Sequence, residues 1–366
     1  MQVLFNALQA GNQSGTGVYS AQLARWLPQL DSGCEVNVLW PEDEPFPDVP
    51  ETVRERYSRV SSGGVLSRIF KEHSGAAREM HADLVHYPCN VIGLRERAAA
   101  VVTIHDLTFL EEPSWYRWER AAYNKWGVSH SVRRAKRIIA VSEATAKSLV
   151  ERLSVDRDCI DVVYNGVDER FVPADDVTKA AVRKKYELPD AFFLFVGTLE
   201  PRKNLVRVIR AWGHIAEEVE QDLVLVGREG WKAEPIFQAA REANRNDRIR
   251  MVGFVDHGDL PGLMGTADAL VYPSLAEGFG IPVAEAMACG TPVITSNVSS
   301  LPEVAGNAGL LVDPLDETAI ADAMRFVAQD EVLRSTQSAL GIERAKLFSW
   351  RRSAEQTMET YRKALG

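Results

Sequence analysis

Short apolar runs of strand length alternate along this chain with longer stretches in which apolar side chains recur every three or four positions. In the first half the runs are residues 2–7, Glu35–Trp40, Leu84–His86, Val101–His105, Ile138–Val141 and Ile160–Val163. After the first run, Tyr19, Leu23, Trp26, Leu27 and Leu30 share one helical face. The acidic, polar stretch Pro173–Asp176 reads as the start of a linker. The pattern then restarts with Phe192–Val196, Leu223–Val226, Ile249–Val252, Ala269–Val271, Val293–Thr295 and Leu310–Val312. Such alternation predicts an α/β architecture of two mainly parallel sheets, each covered by helices on both faces. Residues 350–365 read as one amphipathic helix.

Length and composition narrow the class of protein. A chain of 366 residues supports about two domains, each able to bury its own core. Apolar content of 46% and charged content of 25% suit a globular enzyme. No apolar stretch reaches the roughly 18 residues of a membrane span, and Met1-Gln-Val-Leu-Phe5 begins a strand rather than a basic targeting peptide. A net charge of −9 argues against broad nucleic-acid binding, which needs a dominant basic surface. Cys34, Cys89, Cys159 and Cys289 lie far apart without zinc-ligand spacing and read as reduced, cytosolic thiols.

Candidate chemistry concentrates in two segments. Glu277-Gly-Phe-Gly-Ile-Pro-Val-Ala-Glu285 sets two carboxylates either side of a bend that ends in a helix start. Gly278 and Gly280 let backbone N–H groups approach a ligand, and Pro282 presets the first helical turn. That pattern suits an anion together with hydroxyl groups, as in a phosphorylated sugar. It equally describes a turn in which Ser274 and Glu277 form a capping box. The second segment, Phe192 to Asn204, is an apolar strand ending at Gly197, and helical spacing resumes at Leu205, Ile209 and Trp212. Arg202 and Lys203 therefore fall in a strand-to-helix loop, where adjacent cations can clamp a diphosphate.

Together with Gly15-Thr-Gly17, Thr103-Ile-His-Asp106, Val141-Ser142, Tyr164-Asn-Gly-Val-Asp168, Gly253-Phe254 and Leu301-Pro-Glu303, these segments resemble the retaining glycosyltransferases of family 4. The resemblance spans most of the chain. It implies the GT-B fold: two Rossmann-like, doubly wound domains facing a central cleft, here an acceptor-binding domain over residues 1–172 and a nucleotide-sugar domain over 173–349. The helix of residues 350–366 would cross back to the first domain.

The resemblance also implies roles. Arg202 and Lys203 would neutralise the donor diphosphate, and Glu277 would face the transferred hexose. The backbone of Gly278, Phe279, Gly280 and Ile281 would contact sugar hydroxyls or phosphate, and Glu285 would accept from the ribose hydroxyls. Gly197 and Thr198 would border the phosphates. Many relatives carry arginine where this chain has Thr198, which passes the phosphate role to Arg202. Residues 251–255, with Val252, Gly253 and Phe254, would border the base. Gly15, Thr16 and Gly17 would line the cleft close to the donor phosphate and the acceptor, with His105 beside the donor sugar or the acceptor and Asp106 orienting that loop. Gly15-x-Gly17-x-x-Ser20 lacks the third glycine or alanine of a dinucleotide fingerprint. Ser300-Leu-Pro-Glu303 matches a capping box.

The implied reaction is metal-independent transfer of a hexose, mannose first, from GDP-mannose to a glycan or polyprenyl-linked glycan in polysaccharide assembly. A UDP-hexose is the second donor. No cofactor is expected, because two cations replace a divalent ion and Asp156-Arg-Asp158 reads as turn and capping chemistry. Rival readings are a nucleotide-sugar epimerase and a non-catalytic nucleotide-sugar-binding protein. Residues 114–137 mix Trp115, Tyr116, Trp118, Tyr123 and Trp126 with seven basic residues and the single acid Glu119. The segment reads either as an amphipathic helix with a buried aromatic face or as a peripheral contact with the inner face of a cell membrane.

Overall fold

The computed structural model describes residues 1–12, 14–30, 33–45, 47–60, 81–94 and 96–366. They divide into two compact units, Met1–Gly166 with Ser349–Gly366, and Val167–Phe348. The division falls at Gly166, ahead of Pro173–Asp176, and inside the Tyr164–Asp168 motif. The amide of Val167 donates to the carbonyl of Phe348 at 3.1 Å, so the outgoing and returning strands of chain run side by side.

The first unit is built on β1 (Gln2–Asn6), β2 (Glu35–Pro41), β3 (Tyr57–Val60), β4 (Leu84–Tyr87), β5 (Ala99–Ile104), β6 (Arg137–Ala140) and β7 (Ile160–Val162). All pair in parallel, in the order β3-β2-β1-β4-β5-β6-β7. Strand β3 is absent from the sequence reading because Tyr-Ser-Arg-Val is a short, half-polar edge. The helix that follows β1 runs Gly15–Trp26, where Pro28 ends its α-geometry in a 3₁₀ turn.

Helix Trp350–Leu365 belongs to this unit. Tyr361, fully buried, lies 2.7 Å from His86 Nδ1, and His86 Nε2 lies 2.8 Å from the Thr103 hydroxyl, which meets Tyr19 Oη at 2.9 Å. A four-residue buried polar chain thus fastens the returning helix to β4 and β5. Burial, with His105 adding to it, pushes the His86 pKa down to about 3, so the ring is neutral.

The second unit contains β8 (Phe192–Val196), β9 (Asp222–Val226), β10 (Ile249–Gly253), β11 (Ala269–Tyr272), β12 (Val293–Ser296) and β13 (Gly309–Val312). They too are parallel, in the order β10-β9-β8-β11-β12-β13. Continuous apolar runs form this sheet because both faces are covered; β8, β9 and β11 are buried at every position. Leu205, Ile209 and Trp212 bury the face of helix Leu205–Ile215, and the Trp212 indole donates to the Gln221 carbonyl at 3.0 Å. Each sheet reverses its strand order once, between β1 and β4 and between β8 and β11, and the carboxyl edge at such a reversal is where open α/β sheets collect ligands.

No helix among the described residues is long and apolar enough to cross a membrane. The four cysteines are free, with Cys289 buried and Cys159 exposed.

Candidate functional site

The reversal between β8 and β11 brings Arg202 and Lys203, in the 3₁₀ turn Pro201–Lys203 after β8, against Glu277, five residues past the end of β11. Arg202 Nη1 donates to Glu277 Oε2 at 2.6 Å and Lys203 Nζ donates to Oε1 at 2.5 Å. Arg202 also forks onto Glu200 Oε1, at 3.1 Å from Nε and 2.8 Å from Nη2, and its Nη1 reaches the Ala276 carbonyl at 2.9 Å. The Lys203 ammonium donates to the Tyr272 hydroxyl and lies 4.8 Å from that ring's centre. Two acids and two bases thus form a compact cluster whose charges cancel. Glu200 and Tyr272 escaped the sequence reading, although Glu200 stands two residues before Arg202.

Burial alone would raise the Glu277 pKa, but Arg202 and Lys203 overcome it and hold the carboxyl at about 2. The same burial, with Arg202 adding repulsion, pushes Lys203 below its ordinary value. Glu277 is therefore ionised throughout the physiological range and depends on its two cations to be so.

The bend Glu277–Gly280 is braced from the loop after β12. The Glu277 amide donates to Ser299 Oγ at 3.1 Å, and Ser299 returns a bond to the Glu277 carbonyl at 2.7 Å. Ser300 donates to the carbonyls of Glu277 and Phe279, at 3.0 and 2.9 Å. This corrects one expectation: Ser300 does not cap the helix that carries Glu303, because its hydroxyl is committed to the bend. Gly280 has φ +101°, and a Cβ there would meet Leu301 Cδ2 at 2.6 Å, so the position requires glycine. The Phe279 ring is buried against Phe348, 5.4 Å between centres, leaving backbone as its surface toward a ligand.

Gly280 starts helix Ile281–Ala288, with Pro282 in the first turn. Glu285 is the fifth residue, beyond the first turn, so the helix N-terminus does not account for this acid. Burial and the charge of Asp168, opposed by Arg170, push its pKa up to about 8. Asp168 and Arg170, paired at 3.0 Å, are further members of this region that the sequence reading left without a role.

Gly197 and Thr198 follow β8, and Thr198 is exposed. Val252 and Gly253 lie within β10 itself, so only Phe254 and Val255 of that segment follow the strand. Phe254 is 47% exposed, with the Arg228 guanidinium 4.6 Å from its ring centre.

In the first unit, Gly15, Thr16 and Gly17 form the first turn of a helix rather than a loop, with the Thr16 and Ser14 hydroxyls 2.8 Å apart. His105 follows β5. Its Nε2 bonds the Pro88 carbonyl at 2.7 Å, its amide donates to Asn90 Oδ1 at 3.1 Å, and its ring stands edge-on to Tyr19 at 4.9 Å. Burial lowers its pKa, and the neutral ring carries its proton on Nε2, which donates to the Pro88 carbonyl. Asp106 accepts from the Thr108 amide and hydroxyl, which shapes the turn into the next helix.

Asp156 caps the short turn Arg157–Cys159. The aromatic segment departs from the buried-face reading: helix Trp118–Arg134 buries only Gly127, Val128 and Ser131, while Trp118 and Trp126 are 77% and 43% exposed.

Two doubly wound units, the second with a cationic, carboxylate-bearing edge at its strand reversal, have the architecture of the GT-B glycosyltransferases. Residues 13–171 match the model of Glycosyltransferase Family 4, and residues 178–346 that of Glycosyl transferases group 1. The chain belongs to this glycosyltransferase family. It is 33% identical to the O-antigen chain mannosyltransferase B of Escherichia coli, over 95% of this chain and 96% of that one. It is 28% identical to a D-inositol 3-phosphate glycosyltransferase of Salinispora tropica, over 97% of this chain and 82% of that one. Among solved structures, Anabaena HepE in complex with UDP and glucose aligns over 99% of both chains with a TM-score of 0.78 at 20% identity, a likeness of fold.

Proposed function

We propose that this enzyme transfers mannose from GDP-mannose to a glycan or polyprenyl-linked glycan in polysaccharide assembly, with retention of configuration and without a metal ion. The observation that carries this reading is the Arg202–Lys203–Glu277 cluster at the strand reversal, in a chain similar along its length to an O-antigen mannosyltransferase. A UDP-hexose is the second donor.

A diphosphate brings its own negative charge to Arg202 and Lys203 and competes with Glu200 and Glu277 for their N–H groups. Glu277, released from part of its pairing, then turns to the hexose. The bond between the anomeric carbon and the phosphate oxygen breaks while the acceptor oxygen bonds to that carbon on the same face. The acceptor's proton passes to the departing phosphate oxygen, and the two cations stabilise the charge that grows there. The Glu277–Gly280 bend offers backbone to the sugar, Glu285 accepts from the ribose, Gly15, Thr16 and Gly17 serve the donor phosphate and the acceptor, and His105 serves the donor sugar or the acceptor. No metal is needed in this reading, because the two cations do its charge work.

The test is product formation from GDP-mannose and from UDP-glucose, each with a polyprenyl-linked glycan acceptor and excess EDTA. Mannosylated product that disappears in Arg202→Ala plus Lys203→Ala supports the reading. Activity abolished by EDTA and restored by magnesium overturns its metal-free part, turnover of donor without acceptor favours an epimerase, and a covalent sugar on Glu277 overturns same-face substitution.

A further inference from the structure

The segments that follow β8, β9 and β10 are laced together by their backbones. Gly197 N donates to Val226 O at 2.9 Å, Leu199 N to Arg228 O at 2.9 Å, Gly230 N to Leu199 O at 3.0 Å, and Gly227 N to Gly253 O at 2.8 Å. At Gly227, φ is +146° and a Cβ would come within 1.8 Å of the Gly197 carbonyl, so only glycine permits this approach. The three segments form one fixed edge, with Arg202 and Lys203 at its β8 end and Phe254 at its β10 end. Adjacent strands lie about 4.8 Å apart, so the ends of β8 and β10 are about 10 Å apart, the reach from the diphosphate of a nucleotide to its base.

Arg228 and Phe254 stand out on this edge. The guanidinium is exposed, has no ion-pair partner among the described residues, and is held over an aromatic ring that is itself 47% exposed. Contact with the ring restrains the guanidinium, whose planar N–H fork matches a pair of adjacent acceptors.

We infer that Arg228, ordered by Phe254, selects the base of the donor nucleotide by donating two parallel hydrogen bonds to an edge with two adjacent acceptors. Guanine presents such an edge in O6 and N7. Adenine sets an amino donor beside N7, and uracil offers O4 without a neighbouring ring acceptor. The inference rests on the donor-site reading above and adds to it the residue that chooses the base.

Titration calorimetry with GDP, IDP, 7-deaza-GDP, ADP, UDP and inorganic pyrophosphate tests it. GDP and IDP, which share O6 and N7, bind alike, and 7-deaza-GDP, ADP and UDP bind about tenfold or more weakly, the scale of a bidentate base contact. Arg228→Ala brings GDP to the level of ADP, and Arg228→Lys, which keeps the charge without the fork, falls nearly as far; neither alters pyrophosphate binding. Arg228 is exposed, so both variants keep the ligand-free melting temperature. Equal binding of GDP and ADP by the unaltered protein, or pyrophosphate weakened as much as GDP by Arg228→Ala, overturns the inference while leaving the donor site in place. Failure of the unaltered protein to bind any nucleotide removes the donor-site reading, and the inference with it.

Discussion

Lys203 Nζ lies 2.5 Å from Glu277 Oε1, and both side chains are buried. The pair joins the segment after β8 to the segment after β11, and Arg202 shares the same carboxylate at 2.6 Å. Removing one member leaves buried charge without its partner, which costs about 3–5 kcal/mol. Glu277→Gln and Lys203→Met are each expected to lower unfolding free energy on that scale in urea titrations, and the double variant to lose less than their sum. Additive losses would show that the two side chains are not coupled.

Glu285 carries a pH signature. Its folded pKa, about 8, lies above the ordinary 4.5, so between those values the folded state holds a proton that the unfolded state releases. The stability this proton supplies is present at low pH and is lost as pH rises through about 8. Glu285→Gln should therefore gain stability relative to the unaltered protein across that window. Nucleotide affinity should move the other way and strengthen as pH rises through 8, because the ionised carboxylate accepts from two ribose hydroxyls. A pH-independent affinity would remove Glu285 from the ribose site.

Gly280 tests the bend. Alanine there meets both an unfavourable φ and the Leu301 side chain at 2.6 Å. Gly280→Ala should cost about 1–3 kcal/mol and lower activity further than stability accounts for. A fully active, equally stable variant would mean that the bend relaxes freely.

Tyr361→Phe removes the hydroxyl that faces His86 Nδ1 in the buried chain running to Tyr19. The stranded imidazole nitrogen should cost about 1–3 kcal/mol, read as a lower urea midpoint. Because folding keeps His86 neutral, the unaltered protein should lose stability as pH falls from 6.5 toward about 3. An unchanged midpoint would show that the hydroxyl contributes nothing to docking the returning helix.

Exposed Trp118 and Trp126, with Arg117, Arg120, Lys125, Arg133 and Arg134 exposed on or beside the same helix, suit an anionic lipid surface. Flotation with phosphatidylglycerol vesicles should recover the protein at low salt, less in 0.5 M salt (about a 4 Å screening length), and least for Trp118→Ala plus Trp126→Ala. Protein that stays at the bottom of the gradient with these vesicles would exclude the contact.

Arg202 and Lys203 were legible as a loop pair because Phe192–Val196 is an unbroken apolar strand and Leu205, Ile209 and Trp212 restart a helix directly after them. That Glu277 would neutralise both was not legible, since 74 and 75 positions separate them and only the strand reversal brings them together. The same limit hid the bonds from Ser299 and from Ser300, whose hydroxyl reads locally as a capping group and is drawn away by the carbonyls of the bend. Strand β3 and the exposure of Trp118 depended on neighbours that periodicity does not encode.

The sequence by itself determined the strands other than β3, because periodic burial is written into neighbouring residues, and it marked the Gly-rich bend and the adjacent cations by local chemistry. Tertiary structure alone decided which charges meet. The order β10-β9-β8-β11 sets the segments after β8, β9, β10 and β11 along one edge, and burial there shifts Glu277 and Glu285 in opposite directions according to the charges beside them. Electrostatic energy depends on distance through space and on exclusion of water, and neither is a property of position along the chain.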